Sequence, residues 1–325
     1  VIQGVETERI LPFMSLSYDA ILLIAFGGPT TPEEIRPFLA RVLHGIAIPP
    51  ERVEEVVHHY EAVGGRSPLN QVTFRQALAL QRLLTEKRIS LPVYVAFRNA
   101  SPFFAETLKQ MAGEGVKQAL GFILSSHQTE ASWDRYQKNI SDARAELDFK
   151  APEISYCEGW YDHPLFIQTW AELIKTSLGK TSARSSAPLI FTAHSLPAPM
   201  AAPSPYVKQL EASAHLIAAR LGYERWLLAY QSRSGKPTDP WLEPDIGQAI
   251  RDLAAQGVTE VVVAPIGFVC DHVEVLYDLD IEAKKIATDL NLNFIRASCP
   301  NDHPTFIRMI ANVIQERISM VENRG

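Results

Sequence analysis

The chain has 325 residues, 46% of them hydrophobic and 21% charged, with a formal net charge of −6. That length suits two domains, or one large α/β unit, with an ample core. The acidic balance argues against a nucleic-acid partner, which would need a basic surface. Three scattered cysteines (Cys157, Cys270 and Cys299) provide neither a disulfide framework nor a CxxC metal site, and they fit a reducing cytoplasm.

Residues 1–17 read as an N-terminal extension. They lack the basic start and apolar centre of a signal peptide, and residues 1–13 are expected to be poorly ordered. No segment approaches the roughly 18 apolar residues that span a bilayer. Short apolar runs then predict strands at 20–26, 92–97, 118–124, 188–194, 225–231 and 260–266. The runs are nearly continuous, as expected of parallel strands covered on both faces. Amphipathic stretches at 72–87, 207–222 and 304–318 predict helices between and after them, the last able to pack on either half. The alternation gives the fold class α/β with parallel sheets.

A weak internal repeat aligns residues 108–136 with 250–278, "ILLIAFGGP" with "LIFTAHSLP", and "VYVAFRNASP" with "LLAYQSRSGKP". Two similar domains, 18–150 and 151–325, are therefore expected. Facing each other, they would bring strand C-terminal ends to one cleft, where α/β folds bind ligands.

Several motifs face that cleft. His194 ends a strand in "LIFTAHSLP" and reads either as a satisfied, partly buried histidine or as a base or ligand. "FGGP" (26–29) allows close backbone approach but is no dinucleotide fingerprint, and "RSGKPT" (233–238) is no phosphate loop. Gly64-Gly65-Arg66-Ser67 reads as a helix C-cap or as an anion-facing loop. Trp241 and Tyr161 read as aromatic walls or as packing. His127 takes in the first half roughly the place of the acidic segment in the second. That segment, "GFVCDHVEVLYDLDIE" (267–282), holds five carboxylates. If helical, it sets Glu274, Asp278 and Glu282 in one stripe, with Asp271 near the same face and Asp280 pointing away. Like charges at that spacing repel, so the row is either a solvated face or a track that a cation satisfies.

The ordered set "AFGGPTTPEEIRPFL", "HHYEAVGGRSPLN", "FTAHSLP", "YQSRSGKPTDPWLEPD" and "PIGFVCDHVEVLYDLD" resembles the ferrochelatase family over about residues 18–318. The resemblance implies two Rossmann-like, chelatase-type domains with a porphyrin cleft between them. It also implies insertion of Fe(II), as substrate, into a porphyrin with release of two protons in heme synthesis. On the matching motifs His194 and Glu274 become the catalytic pair, and His194, Glu274, Asp278 and Glu282 the metal ligands. Phe26, His44, His59, Tyr60, Ser67, His127, Tyr161 and Trp241 become porphyrin contacts. Some members of the family carry an iron-ligating Tyr where this chain has Phe26, which leaves any axial ligation of the product to His194.

The segment 43–65 is short and charged where many protoporphyrin-type members carry an apolar membrane lip. The resemblance is therefore to the soluble type acting on coproporphyrin III. Protoporphyrin IX is the alternative substrate. A non-catalytic heme or porphyrin carrier is the alternative of another class, needing the cleft but not the pair or the acidic row. With no cysteine after Cys299, no [2Fe–2S] cluster is expected. A cytoplasmic monomer without a transmembrane segment is expected.

Overall fold

In the computed structural model, which describes residues 18–45, 49–147, 150–179, 187–234 and 238–322, the apolar run Ala20–Ala25 forms strand β1 with all six residues buried. The expected 1–17 extension lies outside the described residues, as do Gly235, Lys236 and Pro237 of "RSGKPT". After β1 come α1 (Pro32–Val42), α2 (Pro50–Ala62), α3 (Leu69–Glu86), β2 (Val93–Phe97), α4 (Phe104–Gly113) and β3 (Gln118–Ile123). A π-helical turn at Glu130–Asp134 leads into α5 (Arg135–Leu147) and then β4 (Glu153–Tyr156). These four strands form one parallel sheet in the order β2-β1-β3-β4.

The second half starts with α6 (Pro164–Leu178), β5 (Leu189–His194), α7 (Ala198–Ala201), α8 (Tyr206–Leu221) and β6 (Trp226–Gln231). It continues with α9 (Ile246–Ala255), β7 (Glu260–Ala264), α10 (Val273–Leu276) and a second π-helical turn at Asp278–Ala283. Then come α11 (Lys284–Asp289), β8 (Asn293–Arg296) and α12 (Pro304–Glu322). Its sheet is also parallel, in the equivalent order β6-β5-β7-β8. The internal repeat in the sequence is thus a repeat of topology, down to the π-helical turn that follows the third strand of each sheet.

All six strands read from the sequence are present, with ends shifted by no more than two residues. The strands β4 and β8 carry no continuous apolar run; they are four residues long and largely half-exposed, so little apolar burial marks them. Since β4 pairs with β3, the first sheet continues past the junction expected at residue 150.

One hydrophobic core runs through both halves. It links Leu23 and Phe97 under the first sheet to Trp160, Phe166 and Trp170, and these to Phe191 and Val262 under the second. Helix α12 packs on both α3 and α6, so it ties the halves together.

Close backbone packing sets the exit of β7. A Cβ on Gly267 would lie 2.5 Å from Ala193 Cβ and 2.7 Å from Ala193 Cα, one residue before His194. Both contacts are too short for any side chain. Gly267→Ala is expected to destabilise the protein by about 1–3 kcal/mol through overpacking. Urea denaturation checks this, and an unchanged midpoint would contradict the packing described.

Candidate active site

A cavity of about 340 Å³ opens where the strands end. Its walls include Ala25 and Phe26 from the end of β1, Leu124 and Ser125 after β3, His194 from β5, and Gly267 to Cys270 after β7. Both sheets therefore contribute their C-terminal edges, the usual ligand position in α/β folds. Six residues singled out from the sequence line it: Phe26, Tyr60, Ser67, His127, His194 and Glu274. A larger cavity of about 560 Å³ lies against α12 and residues 158–165, and none of the predicted site residues lines it.

His194 is the last residue of β5, so the strand aims it into the cavity. Its Nδ1 faces the Ser195 carbonyl, which can only accept, so Nδ1 carries the proton. The lone pair is therefore on Nε2, 3.9 Å from Glu274 Oε1. That gap is too long for a direct hydrogen bond and leaves the two groups facing a shared space. Both side chains are about one-third exposed, at 34% and 36%. Tyr206, buried on α8, donates its hydroxyl to the His194 carbonyl at 3.0 Å. Glu274 is fixed through its backbone: its N–H donates to His272 Nδ1 at 3.2 Å, and its carbonyl accepts from Gln231 Nε2. Gln231 is itself held by Thr192, whose hydroxyl donates to Oε1 at 2.8 Å.

The acidic segment is not one continuous α-helix. It forms one α-turn, Val273–Leu276, then widens into the π-turn, where the N–H of Glu282 donates to the Tyr277 carbonyl, five residues back, at 3.0 Å. Near 4.4 residues per turn, positions four apart still share a face, so Glu274, Asp278 and Glu282 keep their row; π-turns of this kind recur at functional sites. The row runs outward from the cavity wall at Glu274 to exposed Glu282. Asp271 departs from the expected stripe. It turns to Arg296, which also holds Asp280, so these two carboxylates are neutralised away from the row. Among the described residues no three His, Cys, Asp or Glu side chains converge into one metal shell.

Burial pushes the Asp278 carboxyl up to about 8, opposed by the hydroxyl donated from Ser232 and reinforced by Glu274 and Glu282. Burial, with Glu55 and Asp245 nearby, also raises Glu282. The consequence for stability has a definite sign. Asp278 binds its proton more tightly folded than unfolded, so the folded state holds that proton between about 4 and about 8, and stability falls across that window as pH rises. Asp278→Asn is expected to gain stability over the wild type progressively through the window, read as the difference in Tm at several pH values. A divalent cation bound at this carboxylate would compete with the same proton. The wild-type KM for Fe(II) is therefore expected to fall as pH approaches 8, and Asp278→Asn to flatten that dependence; a dependence unaltered in the variant would remove Asp278 from the path.

The remaining predicted contacts divide. Tyr60 is buried and meets Phe38 edge-on, as Phe26 does from the cavity side. Ser67 is buried against Gly28, where a Cβ would lie 2.7 Å from Ser67 Cβ. His127 is fully enclosed. Its Nε2 meets Ser213 Oγ at 3.0 Å, whose proton goes to the Tyr161 carbonyl, so Nε2–H donates and Nδ1 accepts from Ser126 at 2.8 Å. Burial drives its pKa down to about 3, so it stays neutral and bolts the two halves together.

Four expected porphyrin contacts, and the expected metal ligands Asp278 and Glu282, lie off the cavity lining. His44 is exposed just past α1. His59 stacks on Tyr277, with ring centroids 3.7 Å apart, and so joins α2 to the acidic segment. Tyr161 offers its carbonyl to Ser213. Trp241 bridges to Pro197, and Leu242 N–H donates to the Leu196 carbonyl, so this loop supports the wall from behind. Conversely, Ser132, Tyr136, Tyr206, Phe268 and His272 line the cavity without having been singled out. The repeat alignment places Ser132 opposite Glu274 and Tyr136 opposite Asp278, and that signal could have found them.

Two like parallel sheets with the cavity at their facing edges form an arrangement also seen in chelatase structures. The chain superimposes on SirB from Bacillus subtilis, a structure with Fe3+, with a TM-score of 0.57 at 11% identity over 94% of this chain and 97% of that one. A second SirB structure, the sirohydrochlorin chelatase with cobalt, gives 0.57 at 12% identity over the same shares. At that identity the likeness shows the fold alone. The ferrochelatase family model matches residues 18–318, and the chain belongs to the ferrochelatase family. It is an enzyme, a lyase that inserts iron into a porphyrin in heme synthesis. Its relatives include a ferrochelatase from Rhodopirellula baltica, 40% identical over 94% of this chain and 88% of that one. Coproporphyrin III ferrochelatases from Nocardia farcinica and Mycolicibacterium smegmatis are 41% and 38% identical, each over 93% of this chain and over 89% and 91% of their own lengths.

Proposed function

We propose that the porphyrin is coproporphyrin III, and that His194 and Glu274 act on it from the inner end of the acidic row. The observation that carries the reading is the His194 Nε2 lone pair facing Glu274 across a cavity from which Asp278 and Glu282 lead outward. Hard carboxylate oxygens suit a hydrated divalent ion, and spaced, weak stations let it move on. Fe(II) enters at Glu282, passes Asp278 and is held at Glu274. Metal insertion displaces two pyrrole protons: the His194 Nε2 lone pair at the ring face receives the first, and the Glu274 carboxylate relays the second once the iron has moved into the ring. Ser195 and Tyr206 keep the lone pair aimed, while Phe26 offers the product iron no ligand.

The names of the Nocardia and Mycolicibacterium relatives support coproporphyrin, as does the short, charged segment 43–65. Among the described residues no helix is long and apolar enough to cross a membrane. We place the enzyme in the cytoplasm, as a monomer without an iron–sulfur cluster. Anaerobic Fe(II) insertion into coproporphyrin III and protoporphyrin IX, run side by side and followed by loss of porphyrin fluorescence, tests the substrate. A higher kcat/KM for coproporphyrin is expected, and a higher value for protoporphyrin would overturn the assignment.

A further inference from the structure

We propose that Arg296 is a positioning residue for iron insertion: one guanidinium ties both ends of the segment that carries Glu274 and Asp278. This rests on the reading of Glu274 as the carboxylate at the insertion site. Arg296 is the last residue of the edge strand β8, only 15% exposed in its side chain. Its Nε and Nη2 donate to the two oxygens of Asp280 at 2.6 and 2.8 Å, a bidentate fork. Its Nη1 donates to Asp271 Oδ1 at 2.8 Å. Asp271 lies three residues before Glu274, and Asp280 two residues after Asp278.

The clamp matters because the intervening segment is weakly determined by its own backbone. It consists of one α-turn of four residues and a π-turn, joined at Tyr277. The junction interrupts the α-helical ladder beside Glu274 and Asp278, although the π-turn runs on into α11. Asp271 is anchored further: Asn301 Nδ2 donates to its Oδ2 at 2.7 Å, and its own N–H donates to Asn301 Oδ1 at 2.9 Å. The Asn301 carbonyl in turn accepts from Gln76 Nε2 on α3 at 2.8 Å. The anchor therefore reaches α3 in the first half of the molecule. The clamp also sorts charge. Arg296 consumes the two carboxylates that face away, so the carboxylates left to meet a cation are those of Glu274, Asp278 and Glu282.

The test uses Arg296→Met, which keeps the apolar stem, and Arg296→Lys, which keeps the charge without the fork. Displacing a reacting group by about 1 Å costs up to about 100-fold, so Arg296→Met is expected to lower kcat for Fe(II) insertion by about tenfold or more and to raise the KM for Fe(II). Coproporphyrin affinity, measured by fluorescence titration, stays within about twofold, and Arg296→Lys recovers part of the kcat loss. A folded Arg296→Met enzyme with wild-type kcat and KM overturns the proposal. Loss of porphyrin binding in parallel with kcat also overturns it, since that marks a general structural role. Should Arg296→Met fail to fold, Asp280→Asn decides. It removes one charge of the clamp at constant shape, a lowered kcat at unchanged porphyrin affinity is expected, and wild-type kinetics contradict the proposal. Glu274→Gln, assayed alongside, separates the two readings. If Glu274→Gln stays active the site assignment fails; if it is inactive while the Arg296 variants are not, the clamp alone fails.

Discussion

Glu274→Gln is expected to lower kcat for iron insertion by about 10³-fold while coproporphyrin still binds. The substitution keeps the side-chain shape. It leaves untouched the two bonds that hold residue 274, because Gln231 and His272 engage its backbone carbonyl and N–H. What disappears is the negative charge 3.9 Å from His194 Nε2. A neutral amide neither draws a divalent ion along the row nor takes a proton, so the loss falls on the chemical step. Anaerobic stopped-flow with porphyrin prebound reads that step, and fluorescence titration reads binding. A kcat within a few-fold of wild type would sink the assignment of Glu274.

His194→Ala is expected to have a loss of similar size, again about 10³-fold, with a different signature. The variant removes the lone pair that receives the pyrrole proton and leaves the acidic row intact. Fe(II) should still accumulate at the row, so the KM for iron changes little while kcat collapses. Added imidazole should restore part of the rate, in proportion to its free-base concentration. A wild-type kcat, or a loss confined to the KM for Fe(II), would show that His194 serves as a ligand on the path and not as the base.

The fold was legible because its signals are long-range in the physical sense. Six buried strands each carry a continuous apolar run, and the repeat of "ILLIAF" by "LIFTAH" sets Phe26 opposite His194. The edge strands Glu153–Tyr156 and Asn293–Arg296 carry no such run and were missed. At the site, residues on strand ends and on the acidic segment were legible, since position along a strand or helix fixes where a side chain faces. Residues reaching the site from elsewhere were not. Tyr206 acts from the N-terminal end of α8, and Ser232 sits in a left-handed backbone conformation, with φ of 60°, that no local pattern announces. The direction of Asp271 depended on a partner 25 residues further on, Arg296, which helical spacing cannot reveal. The α/π junction at Tyr277 escaped for the same reason: the sequence pattern of an α-turn and a π-turn is alike over so few residues.

The porphyrin ring is expected in the cavity lined by His194 and Glu274. A crystal structure of the enzyme with coproporphyrin III tests that placement most directly. The macrocycle is expected between Phe26 and the His194–Glu274 pair, its nitrogens facing His194 Nε2, with Asp278 and Glu282 leading outward from its edge. A macrocycle bound in the larger cavity against α12, out of reach of His194, would contradict it.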